Sequence, residues 1–381
     1  MRAAVVVAAS AAILLCTTGS GITAPQAGVA PSTTQVGETE GKVPSSTSVQ
    51  GTPPQLVAGL NDHPLWLRDS QATEFSYLKA SHAKAVRVDA MWDVLDGGSK
   101  GTYDRSRLAL LDAYVDRCVH AKIDVLLIVV NAPQWANHST DPRVPPINDS
   151  DYADFLQFLV THFEGRVHAY EIWNEPDGNW SWRHPDAVRY ASLLKAAYTR
   201  AKSIDPSVTV LAPSLSGAFT GGWLDTFYAQ GTKNYFDAFS MHGYFWNFSR
   251  TMMVPYYDPT NPGQSIFGAF TTRILPIMTR YGDQAKPVWW TETGIASEGS
   301  VSTEAQAAAG IDSAYSAFRH HVVPTMTRLY WYDMLDSIGP GDANNFGLID
   351  LTGTSATTPT AEDFRPKTTY AHFQNQATLT R

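Results

Sequence analysis

Eight short β-rich runs recur along this chain, each followed by a longer stretch, and this alternation restricts the fold more than any other feature. The runs are Leu56–Leu60, Ala85–Val88, Ile123–Val130, His168–Trp173, Thr209–Ala212, Ala238–His242, Val288–Thr291 and Thr327–Trp331. Between them lie amphipathic helical patterns, among them Arg105–His120, Ser150–Phe163, Asp186–Ile204, Gly268–Tyr281 and Thr303–Arg319. Strand and helix in strict alternation predict an α/β protein, a (β/α)8 TIM barrel forming a single domain over residues 55–381. An open doubly wound sheet would need a glycine-rich phosphate loop after its first strand. The one G-x-G-x-x-A, Gly19 to Ala24, lies upstream of every strand.

Upstream of the first run the chain reads differently. Residues 1–27 begin Met1-Arg2, continue through an apolar run to Cys16 and end in small residues, the pattern of a secretory signal peptide. Residues 28–54, rich in Ser, Thr, Gly and Pro without apolar periodicity, read as a flexible linker. The expectation is an exported protein, secreted or retained at the cell surface, with no integral membrane segment in the mature chain. Beyond the leader only Cys118 remains, so an internal disulfide is ruled out and the core alone must supply stability. Asn137, Asn148, Asn179 and Asn247 each begin an N-x-Ser sequon.

A net charge of -8 argues against nucleic acid as partner, because a phosphate backbone is met by clustered Lys and Arg. Aromatic residues reach 12%, with 11 tryptophans. Large flat apolar faces suit the C–H faces of sugar rings, which points to a carbohydrate partner.

In a (β/α)8 barrel, reactive groups gather at the C-terminal ends of the strands. There the sequence places Arg87 and Asp89 on one face of strand two, and Asn131 with Trp135 after strand three. Asn174-Glu175-Pro176 follows strand four, His242, Tyr244 and Trp246 end strand six, Glu292 ends strand seven and Trp331 ends strand eight. Glu175 and Glu292 thus share one rim. Two carboxyls at one site suit cleavage of a glycosidic bond, one as proton donor and one as attacking or water-activating carboxylate. Arg87, aimed at Glu292, would keep that group ionised. No cofactor is expected. There is no H-E-x-x-H, and the neighbouring His320 and His321 offer no ligand set, so no metal is expected either.

The words "EIWNEP" and "WWTETG", with "VRVDAMW", "SMHGY" and "LYWY", resemble the clan of retaining β-glycosidases built on (β/α)8 barrels. Within it they look most like glycoside hydrolase family 39 and its cellulase-like relatives. The resemblance runs over about residues 55 to 375. It implies Glu175 as acid/base, Glu292 as nucleophile, Asn174 as the partner of the sugar 2-OH, Arg87 and Tyr244 as holders of the nucleophile, and His242 as a lining group. Gly243, where relatives often carry proline, and Thr293, after the nucleophile, depart from the pattern and leave the sugar open.

Other readings stand beside these. Glu171 shares strand parity with Trp173 and Glu175, which turns that face toward the barrel interior. Glu171 suits pairing with a buried arginine, and Arg87 could be that arginine. Trp331 reads as a sugar platform. Trp135, Trp180, Trp182 and Trp246 read equally as subsite walls or loop packing, and Asp177, Asp333 and Asp336 as loop caps. A non-catalytic carbohydrate-binding barrel and a transglycosylase using the same glutamates are the alternative functions.

Overall fold

The computed structural model describes residues 56–65, 70–217, 221–244, 265–297, 302–321, 325–336, 345–351 and 359–380. The leader and linker expected over 1–54 lie outside these residues, as does Trp246. Eight parallel strands close into a barrel in chain order. They are β1 (Val57–Asp62), β2 (Ala85–Met91), β3 (Asp124–Val130), β4 (Ala169–Ile172), β5 (Thr209–Leu215), β6 (Ala238–His242), β7 (Val288–Thr293) and β8 (Met326–Trp331). Closure is direct: Val57 to Leu60 on β1 pair with Arg328 to Trp331 on β8.

One residue from each strand fills the N-terminal end of the barrel. Ala85, Leu126, Ala169, Leu211, Ala238, Trp289 and Tyr330 form an inner apolar cluster, with Val57 of β1 packed against it. The residues of opposite parity face the helices and belong to the main core. Above the apolar ring the interior turns polar, with Asn61, Arg87, Glu171, Ser240 and Thr291 all buried.

The helices carry local reasons for their bounds. Helix Arg105–Ala121 starts at Asp104, whose carboxylate accepts from the N–H groups of Ser106 and Arg107. Asp186 does the same for helix Ala187–Ile204. The continuous helix expected over Gly268–Tyr281 is instead Ile266–Ala269, a π-helical turn Phe270–Ile274 and Leu275–Arg280. Pro276 supplies no N–H and crowds the preceding turn, and the wider π turn accommodates it.

Two strand ends differ from expectation in ways that shape the site. β4 stops at Ile172, because Trp173 takes a left-handed backbone with φ of +64°. Trp173 therefore joins the outer core instead of sharing an inward face with Glu171 and Glu175. β5 runs on to Leu215 through a register shift between Ala212 and Leu215, with Ser214 also left-handed at φ +52°. Among the described residues no helix is long and apolar enough to cross a membrane.

Candidate active site

Arg87, buried on β2, organises the centre of the C-terminal end. Its Nε donates to Glu171 Oε2 at 2.6 Å and its Nη1 to Glu292 Oε1 at 2.6 Å. Nη1 also donates to Asn61 Oδ1, and Nη2 to Asn174 Oδ1, each at 2.9 Å. The two readings of Arg87 are therefore both realised: it is the buried partner of Glu171 and it reaches Glu292. Glu171, wholly buried, also accepts from Thr291 Oγ1 at 2.9 Å.

Glu292 sits near the end of β7, and its second oxygen accepts from the Tyr244 hydroxyl. Burial alone would push this carboxyl up. The charges of His242 and Arg87, then the hydrogen bonds from Tyr244 and Arg87, outweigh it and hold Glu292 below its ordinary value. It is held as a carboxylate between Arg87, Tyr244 and His242. Tyr244 is half-buried; desolvation of its hydroxyl and then the neighbouring Glu292 charge push it well up, and it stays a phenol able to donate.

Glu175 follows β4 on a left-handed backbone, φ +39°, and its N–H donates to the Ser214 carbonyl at 3.1 Å. Asp177 fixes the next turn by accepting from Ser216 N at 2.9 Å and Ser216 Oγ at 2.6 Å. Burial raises the Asp177 carboxyl to about 6. Trp180 folds back so that its Nε1–H donates to Glu175 Oε2. The fold-back needs glycine at 178, where a Cβ would stand 2.4 Å from the Trp180 ring. On the other side His242 Nδ1 lies 2.8 Å from Glu175 Oε1 and 3.4 Å from Glu292 Oε2. One ligand-type atom from each of Glu175, His242 and Glu292 lies within 4.8 Å of the others. A cation there would have to displace hydrogen bonds that this trio already makes internally.

The departures at 243 and 293 have local causes. A Cβ at Gly243 would lie 2.1 Å from the Trp290 ring, so the close approach of β6 to that indole demands glycine. Thr293 is buried and its hydroxyl straps the Gly243 carbonyl.

The structure thus brings together Glu175, Glu292, Asn174, Arg87, His242, Tyr244 and Trp180. Trp331 is a correction. It is 1% exposed and belongs to the outer core, because strand alternation turns Tyr330 inward and Trp331 toward the helices. Tyr332, the next inward residue, lies edge-on to Tyr244 at 6.4 Å and to His63 at 6.0 Å. Trp135 is half-buried, donates to Asp96 Oδ1 at 2.8 Å and packs edge-on to Trp92. With Tyr103 and Phe158 it lines a side groove of about 420 Å³, away from every group contacting the two glutamates. Trp182 is wholly buried against Trp173.

Sequence reasoning missed the residues at the C-terminal end of β1. Asn61 binds Arg87, and His63 stands between Asp89, at 2.5 Å, and Asp333, at 3.0 Å. The His63 and Asp89 side chains are 13% and 18% exposed. Burial disfavours a charged His63, but Asp333 and Asp89 reverse this and hold its proton well above the usual histidine range. The polar word Asn61-Asp62-His63 directly after an apolar run was the available signal. Asp336 pairs with Lys367 at 2.5 Å, a loop contact as expected.

The family model described as cellulase (glycosyl hydrolase family 5) matches residues 47–326. A β-xylosidase of Geobacillus stearothermophilus is 28% identical over 90 residues, 22% of this chain and 18% of that protein. Among solved structures, a family 39 glycoside hydrolase from Bacteroides cellulosilyticus WH2 superposes with TM-score 0.62 at 22% identity, covering 86% of this chain and 64% of that one. A monomeric β-xylosidase from Caulobacter crescentus CB15 gives 0.62 at 18%, covering 84% and 68%. An endo-β-1,4-glucanase from Xanthomonas axonopodis pv. citri gives 0.58 at 17%, covering 86% and 100%. The chain therefore spans less than two thirds of the length of the curated xylosidase and of the family 39 enzyme, and at these identities the structural likeness speaks for the barrel alone. With a family match over most of its length and two glutamates meeting at the ends of β4 and β7, the chain belongs to the cellulase family, glycosyl hydrolase family 5.

Proposed function

We propose that this protein is a retaining β-glycoside hydrolase acting on a β-linked oligosaccharide or polysaccharide. The observation that carries the reading is the approach of Glu175 and Glu292, with carboxyl oxygens within 4.8 Å. Retaining enzymes hold their carboxyls roughly 5–5.5 Å apart, whereas inverting enzymes leave room for a water at about 6.5–9.5 Å.

Glu292, kept as a carboxylate by Arg87 and Tyr244, attacks the anomeric carbon as the glycosidic bond breaks. Glu175 gives its proton to the leaving oxygen, and the sugar remains as an ester on Glu292. Glu175 then takes a proton from water, which attacks the same carbon and restores Glu292. Asn174, with Oδ1 committed to Arg87, presents its amide N–H to the sugar 2-OH. The leader-like residues 1–27 and the linker-like 28–54 support an exported enzyme meeting its glycan outside the cell. The test is E175A assayed with an activated aryl β-glycoside and azide. Rescue with release of the β-glycosyl azide is expected, and an α-azide or unimpaired hydrolysis in this variant would reject double displacement through these residues.

A further inference from the structure

We propose that the side groove lined by Trp135, Tyr103 and Gln157 is a second glycan-binding site, which holds a short neutral stretch of a β-linked chain outside the Glu175–Glu292 site. The inference deepens the hydrolase reading above and rests on it for the class of ligand.

The groove lies between helix Asp149–His162 and a tight turn in which Asp96 pairs with Tyr103. Its volume of about 420 Å³ falls within the usual span of small-ligand sites, about 300–1,000 Å³. Trp135 enters it from the short helix Gln134–Asn137 that follows β3. The indole N–H donates to Asp96 Oδ1 at 2.8 Å, and Asp96 Oδ2 accepts from Gly98 N–H at 2.8 Å. Trp135 is thereby fixed in a half-buried position without help from a ligand.

The opposite wall is equally well held. Tyr103, also half-buried, stacks on Phe158 with ring centroids 3.6 Å apart. Gly97 N–H donates to the Thr102 carbonyl at 2.9 Å and closes the turn. Lys100 anchors that turn to the helix, with Nζ 2.6 Å from Asp151 Oδ1 and 2.9 Å from Asp154 Oδ2. Walls already in place lower the ordering cost of binding.

The polar groups in the groove match a sugar. Among the described residues no hydrogen bond engages the Tyr103 hydroxyl, and Gln157 uses only its Oε1, which accepts from Arg200 Nη1 at 2.5 Å. The tyrosine hydroxyl and the glutamine amide N–H groups are thus open to sugar oxygens, while Asp96 and Asp154 can accept from sugar hydroxyls. The aromatic rings offer apolar surface to the C–H face of a pyranose. Charge narrows the class further. Lys100 is the one basic side chain of the lining and already serves two carboxylates, so the groove has an excess of negative charge. Uronic-acid and sulfated chains are disfavoured by that excess. Each lining carboxylate has an N–H or ammonium partner, so none calls for a cationic sugar either.

The test is gel electrophoresis of the full chain through soluble arabinoxylan or mixed-linkage β-glucan, in an E292Q background so that the polymer is not cut. Retardation is expected for E292Q, and adding Y103A or Q157A should weaken the apparent affinity by about two- to ten-fold, the size of one lost stacking or hydrogen-bond contact. With Glu292 intact, both variants should hydrolyse a phenyl β-glycoside of the sugar cleaved fastest within about two-fold of the unmodified rate, because surface changes away from a site are near neutral. Melting temperatures check that Y103A is folded, and Q157A, a helix-compatible change, repeats the test without removing a ring. Unaltered retardation in both variants, parallel loss on the phenyl glycoside, or equal retardation by polygalacturonate would overturn the inference. If the unmodified protein hydrolyses no glycoside while both variants lose retardation, the hydrolase reading fails and the groove stands as a glycan site. Normal hydrolysis with unaltered retardation sinks the groove alone.

Discussion

The two ends of the barrel interior are built on opposite principles. At the N-terminal end, Ala85, Leu126, Ala169, Leu211, Ala238, Trp289 and Tyr330 close the cylinder with apolar side chains. At the C-terminal end, Arg87, Glu171 and Glu292 are buried as an ion cluster with Asn61, Asn174 and Thr291 around it. Apolar burial stabilises by roughly 25 cal/mol per Å² and asks little of geometry. A buried ion pair must first offset desolvation, and it contributes little net stability while holding charges in fixed positions. One end supplies stability, and the other uses it to keep a carboxylate and its partners ready.

This contrast can be broken from either side. The largest effect expected is on turnover: E292Q should lower kcat by about 10⁴-fold or more, a loss comparable to removing the main group of a nucleophilic triad. Its melting temperature should stay close to that of the unmodified protein, as checked by calorimetry beside the rate assay. A melting temperature that collapses with the activity would mean that Glu292 is a structural pillar.

R87M should fail in both respects. It strands Glu171 and Glu292 without their cation, destabilising the fold by about 3–5 kcal/mol in denaturant titration and removing most activity. L211A at the opposite end should cost about 2–5 kcal/mol for the lost side chain and cavity, with kcat unchanged at temperatures where the variant is folded. If L211A lowered kcat as much as R87M does, the separation of roles between the two ends would not hold.

The pH dependence sharpens the comparison further. Glu292 is held below its ordinary value of 4.5, so its contribution to stability is complete above that value and is lost as pH falls through the lower folded one. Acid unfolding curves of the unmodified protein should therefore be steeper than those of E292Q in this window, while L211A should shift stability equally at every pH. A parallel acid curve for E292Q would contradict the lowered value. The smallest effect is reserved for Trp331. W331F should reduce stability by about 1 kcal/mol and leave KM alone, because the ring lies in the outer core. A several-fold rise in KM with unchanged stability would restore it as a sugar platform.

Much of the site was legible because strand parity and barrel topology act together. Once β2 and β7 are identified, alternation turns Arg87 inward and the barrel brings Glu292 to the rim beside it. Parity fails where the backbone leaves the extended region. Trp173 was expected to face inward with Glu171, but its left-handed φ ends β4 and sends the indole to the outer core. The same kind of residue at 214 carries Ser214 to His242, a contact that nothing in the local sequence announces. Trp331 was misplaced by reading the last aromatic of an apolar run as the rim residue, when the inward one was Tyr332.

Local order in the chain, by itself, determined the eight-fold alternation, the helix caps at Asp104 and Asp186, and the identity of the two glutamates, because these depend on periodicity and on neighbours a few positions away. Only the tertiary structure decided which tryptophans meet the cavity, how one arginine serves Glu171 and Glu292 together, and that His242 bridges toward both carboxyls. Those outcomes depend on distances between side chains far apart in sequence, which barrel closure sets and no local pattern encodes.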